Sequence, residues 1–156
     1  EMSTIKIVGG SDAHATFKDE FDGLLACKGT NVFTEPITLE VYTGTYTEKV
    51  TPDVTLNPTA DNPLIIKNHT GEAPVIDASG ETNGVYIGAL DYVTLKGFTV
   101  RNASGDNVYS EGDYNVISFI QSYGSTGGSG ISVNGANATV TNNLCYSNYE
   151  YGIHIN

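Results

Sequence analysis

Between Gly84 and Ile155 the chain repeats one short alternation of apolar and polar residues. It reads "GVYI" at Gly84–Ile87, "NVYS" at Asn107–Ser110, "GISV" at Gly130–Val133 and "GIHI" at Gly152–Ile155, with starts 23, 23 and 22 residues apart. Each interval holds a second strand-like run: "YVTLKGFTV", "YNVISFIQS" and "NATVTNNLCY". Alternation of period two marks strands. A constant period of roughly 20 to 25 residues, made only of short strands and turns, marks a solenoid in which each repeat is one coil. The pattern therefore predicts an all-β, right-handed parallel β-helix, the hand following the usual sense of parallel crossovers. Val85, Val108, Ile131 and Ile153 fall in one inward column; Ile87, Ser110, Val133 and Ile155 fall in another. Leu95, Phe98, Val100, Ile117, Ile120, Val140 and Leu144 complete the predicted core.

The first 35 residues break the pattern. "STIKIVGG" alternates like a strand, and the segment after it is helix-like: Thr16 suits an N-cap, Asp19 and Glu20 the first turn, and Gly29 the stop. Phe17, Phe21, Leu24 and Leu25 follow helical spacing. Such a helix covers the first coil, which a solenoid otherwise leaves exposed. The chain thus divides into residues 1–35, an N-terminal strand and capping α-helix, and residues 36–156, the coils. At the other end the pattern offers no cap. Ile153 and Ile155 are expected to stack on Ile131 and Val133 and to be covered by copies of the chain or by further C-terminal sequence. Cys27 and Cys145 would meet across a junction between two copies.

The order "IKIVGG…ATFKDEFDGLL…ITLEVYTGTYTEKV…LIIKNHTGEAPVID…GVYIGALDYVTLKGFTVRNAS" resembles the N-terminal part of the right-handed parallel β-helix superfamily of pectate lyases and pectin esterases. "VYTGTYTEKV" is similar to the Gly-x-Tyr-x-Glu-x-Val stretch that opens the helix in the pectin-esterase group. The resemblance implies a β-helix domain about twice this length and, for an enzyme, a polysaccharide lyase or carbohydrate esterase. It brings no catalytic residue with it. A lyase base beside a calcium cluster is not placed by the pattern, and an esterase needs an arginine with several glutamines where the chain has Arg101 and Gln121 alone.

Composition narrows the partners. The formal charge of -11 opposes binding to nucleic acid, anionic membranes or anionic polysaccharides. No apolar run reaches the roughly 20 residues that cross a bilayer, so membrane insertion is not expected. His14, His69 and His154 share no metal-ligand spacing, and the two cysteines form no CxxC motif. Three Asn-x-Ser/Thr sequons begin at Asn68, Asn102 and Asn137, about the number such a composition yields by chance.

Two outward columns carry the remaining chemistry. Tyr86, Tyr109, Ser132 and His154 face out together, so Tyr86 and Tyr109 should stack and, with His154, offer a surface to a carbohydrate or a protein partner. Asp91 and Asp113, followed by Asn137, lie one coil apart with Glu111 nearby; calcium is the cation such an oxygen set would suit, although no cofactor is required. Arg101 is expected to pair with Asp77 across coils, and Lys67 and Lys96 to occupy equivalent strand positions. The reading that follows is a non-catalytic structural or adhesive β-helix module, extracellular or on a cell surface. It self-assembles through its coil ends as a surface-layer, appendage or filament subunit. The alternatives are the N-terminal part of a carbohydrate-active enzyme, or a polysaccharide-binding β-helix.

Overall fold

The computed structural model describes residues 4–9, 16–18 and 34–156, and in it the alternating runs become fifteen parallel strands. They stack as three faces. One face runs β1 (Thr4–Val8), β2 (Ile37–Val41), β4 (Leu64–Asn68), β7 (Val93–Lys96), β10 (Val116–Ser118) and β13 (Thr139–Thr141). The second runs β3 (Thr45–Tyr46), β5 (Val75–Asp77), β8 (Thr99–Arg101), β11 (Gln121–Tyr123) and β14 (Leu144–Tyr146). The third runs β6 (Val85–Gly88), β9 (Val108–Ser110), β12 (Ile131–Val133) and β15 (Ile153–Ile155), and a parallel bridge from Val50 to Val85 extends it by one coil. This is a parallel β-solenoid of about five turns.

Register explains the core. Leu39, Ile66, Leu95 and Ile117 occupy one inward column on the first face, and all are fully buried. Tyr46, Ile76, Val100, Ser122 and Cys145 form the inward column of the second face. Val50, Val85, Val108 and Ile131 fill the third. Each aliphatic side chain withdrawn from water contributes roughly 1.5–3 kcal/mol, so stacking like on like builds the core one coil at a time. A bulge between Tyr86 and Gly88 sets Gly88, rather than Ile87, opposite Ser110, yet Ile87 remains buried.

Two expectations about the core need correction. Leu144 points outward and is 59% exposed; Cys145, opposite Ser122, is the inward residue of β14. The cause is the turn before it. Asn142 takes a left-handed φ of 56°, and Asn143 sits under the coil, accepting the Ile120 amide at 2.8 Å and donating to the Ile117 carbonyl at 3.0 Å. The strand therefore leaves the turn one residue later than plain alternation suggests. Val140 packs on the core only half-buried.

At the N-terminal end Phe17 is fully buried against Tyr46 and Phe98, at centroid distances of 5.4 and 6.2 Å. The amides of Phe17 and Lys18 donate to the two carboxylate oxygens of Glu48 at 3.0 and 3.3 Å. Phe21, Leu24, Leu25 and Gly29 of the expected helix lie outside the described residues, as do His14 and Cys27.

Candidate functional site

Outside the core, the stacked coils align equivalent turn and strand residues into ladders. The turn ahead of the first face shows why the aspartates recur. The Asp91 carboxylate accepts the Asp113 amide at 2.7 Å, and the Asp113 carboxylate accepts the Ala136 amide at 2.8 Å. Each aspartate thus caps the same turn one coil further on. Asn137, expected in this column, belongs instead with Tyr92 and Tyr114: the Tyr92 amide donates to the Asp113 carbonyl and the Tyr114 amide to the Ala136 carbonyl. All three residues share left-handed φ values of 55°, 57° and 56°. Glu111 is engaged elsewhere, accepting the Tyr109 hydroxyl at 2.7 Å. Among the described residues no group of three or more His, Cys, Asp or Glu is placed to hold a metal ion. The chemistry this set shows is turn capping.

The aromatic column is built as expected at its start. Tyr86 and Tyr109 stack at 5.4 Å with an interplanar angle of 11°, and the Lys49 ammonium lies 4.7 Å from the Tyr86 centroid. The Tyr109 hydroxyl, hydrogen-bonded to Glu111, has its pKa raised. His154 does not join the stack, because Ser132 intervenes by one coil; its ring lies 5.0 Å from Tyr151. Two further tyrosine ladders went unread in the sequence, Tyr92 on Tyr114 and Tyr123 on Tyr146, both at 5.0 Å. Their spacings of 22 and 23 residues match the coil period and would have found them.

The ion pairs follow the same geometry. Arg101 donates to Asp77 from Nε and Nη2, both at 2.9 Å, and from Nη1 to the Tyr123 hydroxyl at 3.1 Å. Hydrogen bonds from Ser79, Asn102 and Arg101 hold the Asp77 carboxyl down at about 2. Lys67 and Lys96 are register partners, and Lys67 shares Glu40 with His69, whose Nδ1 lies 2.6 Å from the carboxylate.

At the last coil Ile153 and Ile155 pair in register with Ile131 and Val133, as expected, but remain 42% and 62% exposed. Cys145 faces into the same coil half-buried, and burial pushes its thiol up to about 11.

Two cavities lie along the segments that connect the second face to the third. One, of about 500 Å³, is lined by Lys49, Thr51, Asp53 and Glu81 among others. The other, of about 300 Å³, is lined by Thr82, Asn83, Tyr86, Gly105, Asp106 and Tyr109. No helix among the described residues is long and apolar enough to cross a membrane. Fold and ladders define the chain as a parallel β-helix protein. No family model, curated protein or solved structure matches it.

Proposed function

We propose that the chain is a non-catalytic structural or adhesive β-helix module, extracellular or on a cell surface, that self-assembles through its coil ends. The observation that carries this reading is the set of ladders: the Tyr86–Tyr109 stack, the Asp91 and Asp113 turn caps and the Arg101–Asp77 pair each join one coil to the next. A solenoid held together in this way extends coil on coil, and strand edges template further strands. The ladders support a structural role, since their carboxylates, amides and rings are spent on holding coil to coil. An extracellular setting agrees with an acidic balance that keeps separate molecules soluble. The pectate-lyase-like affiliation belongs to this proposal as well, supported by the coil architecture and the opening motif.

Sedimentation velocity of the 156-residue chain over a range of concentrations tests the reading, beside an Ile153→Asp, Ile155→Asp variant. Oligomers that the double variant abolishes are the expected result. A chain that stays monomeric at the highest concentration overturns self-assembly and favours the alternatives, part of a carbohydrate-active β-helix enzyme or a polysaccharide-binding β-helix.

A further inference from the structure

We propose that Asn137 is the acceptor of a covalent N-linked glycan whose first sugar stacks on Tyr114. The proposal rests on the extracellular reading above, since secretion is the route on which Asn-x-Ser/Thr sequons are modified. It separates three sequons that the sequence alone leaves equal. Asn68 and Asn102 are spent on the fold. The Asn68 side chain donates from Nδ2 to the Glu72 carbonyl at 2.9 Å and lies against Gly97 of the following coil, where an added Cβ would collide with its carboxamide. Asn102 donates from Nδ2 to the Asp77 carboxylate at 3.1 Å and lies in the same way against Gly124, while the Ser104 hydroxyl of its sequon donates to the Glu81 carbonyl at 3.0 Å. Both asparagines are half-buried, so a sugar on either nitrogen would displace these contacts.

Asn137 is placed differently. It and Thr139 are exposed, and the Asn137 carboxamide hydrogen-bonds to none of the described residues. The position faces outward because of its column and not because of its coil: Tyr114, one coil back, is 48% exposed although a coil lies on either side of it. Thr139 is outward by strand alternation, its neighbour Val140 packing on the core. The column also supplies a seat for the sugar. Tyr92 and Tyr114 stack at 5.0 Å with an interplanar angle of 2°, and Asn137 takes the next place with the same left-handed backbone. Coils lie about 4.8 Å apart, so a sugar carried on Asn137 Nδ2 continues the stack as its third member, laying its C–H face on the electron-rich face of the Tyr114 ring. The donor is an oligosaccharide on a polyprenyl pyrophosphate. The bond from the first sugar's C1 to the pyrophosphate oxygen breaks, a bond from C1 to Asn137 Nδ2 forms, and the amide proton leaves with the lipid pyrophosphate.

The test is to express the 156-residue chain in insect cells behind a cleavable secretion leader and to map its glycopeptides by mass spectrometry, in medium and cell extract, beside Asn137→Gln and Tyr114→Ala. The same chain made in the bacterial cytosol is the unmodified reference. The expected result is a glycan at Asn137, none in Asn137→Gln, and unmodified Asn68 and Asn102 in the secreted chain. The modified chain should melt about 2–4 °C above the reference, the shift expected of one aromatic contact in a domain of this size, and Tyr114→Ala should abolish the difference. An empty Asn137 in both medium and cell extract, or glycans at Asn68 or Asn102 on the folded secreted chain, overturns the acceptor assignment. An occupied Asn137 whose melting shift survives in Tyr114→Ala overturns the stacking. Cell fractionation of the native protein tests the extracellular reading separately, so either can fail while the other stands.

Discussion

Replacing Asn115 by alanine removes a side chain whose every polar group is used inside the solenoid. Asn115 is fully buried; it accepts the Val93 amide at 2.7 Å and donates to the Leu90 carbonyl and to Ser110 Oγ, both at 2.9 Å. Ser110 has a rotatable hydroxyl, but the Val93 amide and the Leu90 carbonyl belong to fixed backbone on the preceding coil and would be left without a partner. Each buried group orphaned in this way costs about 1–3 kcal/mol, so two orphans give about 2–6 kcal/mol. That is a large share of the roughly 5–15 kcal/mol that holds an ordinary domain folded. Asn134→Ala, at an exposed position, should stay within about 0.5 kcal/mol. Urea unfolding should show a lowered midpoint for Asn115→Ala, and because solenoids can unfold in parts, amide exchange should show Val93 losing protection first. A cost below about 1 kcal/mol, or a Val93 amide as protected as before, would refute the claim that this asparagine joins the two coils.

Three other consequences follow from the ladders. The Asp77 carboxyl, held at about 2 against an ordinary 3.8 by Ser79, Asn102 and Arg101, contributes stability that is complete above the ordinary value and lost as pH falls through about 2; the melting temperature should therefore drop more steeply below pH 4 in the native chain than in Asp77→Asn, and parallel curves would contradict this. Cys145, with its thiol at about 11 instead of 9.0, should alkylate with iodoacetamide about a hundredfold more slowly when folded than in urea, measured in a Cys27→Ser background, and equal rates would show the thiol to be open. At Gly112 an added Cβ would collide with the Leu90 carbonyl oxygen, so Gly112→Ala should lower the melting temperature well beyond Gly80→Ala, whose added carbon meets nothing and which bears only backbone strain.

The coil period was legible because the third face is regular: Val85, Val108 and Ile131 pair directly, and the sequence spacing already matches their register. Tyr86 over Tyr109 and Arg101 beside Asp77 were legible for the same reason, being one period apart on strands. What alternation does not carry is the geometry of turns. A left-handed residue such as Asn142 delays the next strand by one position, which sent Leu144 out and Cys145 in. Spacing alone also grouped Asn137 with the aspartates, whereas hydrogen bonding sets Ala136 in that place and Asn137 beneath Tyr114. The buried asparagines were hidden for a related reason. Asn107 opens the unit "NVYS" and Asn115 lies in the strand-like run "YNVISFIQS", where alternation does not mark them as core, yet each is fully buried because a turn stacked between two coils has amides and carbonyls that a side-chain amide can pair.

Charge is distributed unevenly along the solenoid, and this bears on what the last coil can meet. Of the seven basic and eighteen acidic residues, residues 134–156 contain only Glu150, with His154 as the one further group that can become cationic. The same coil carries Leu144, Tyr149, Tyr151, Ile153 and Ile155 as exposed large apolar side chains. Two molecules bearing -11 each repel at long range, so their approach should quicken with added salt as the field is screened over about 8–10 Å. Once in contact, this coil offers almost no charge of its own for ion pairs across an interface, so dissociation should hardly respond to salt. Sedimentation at low and high sodium chloride should therefore show association that strengthens modestly with salt. Association that instead weakens steeply as salt rises would mean that the contact is made of ion pairs, which this coil cannot supply, and would locate the junction elsewhere on the solenoid.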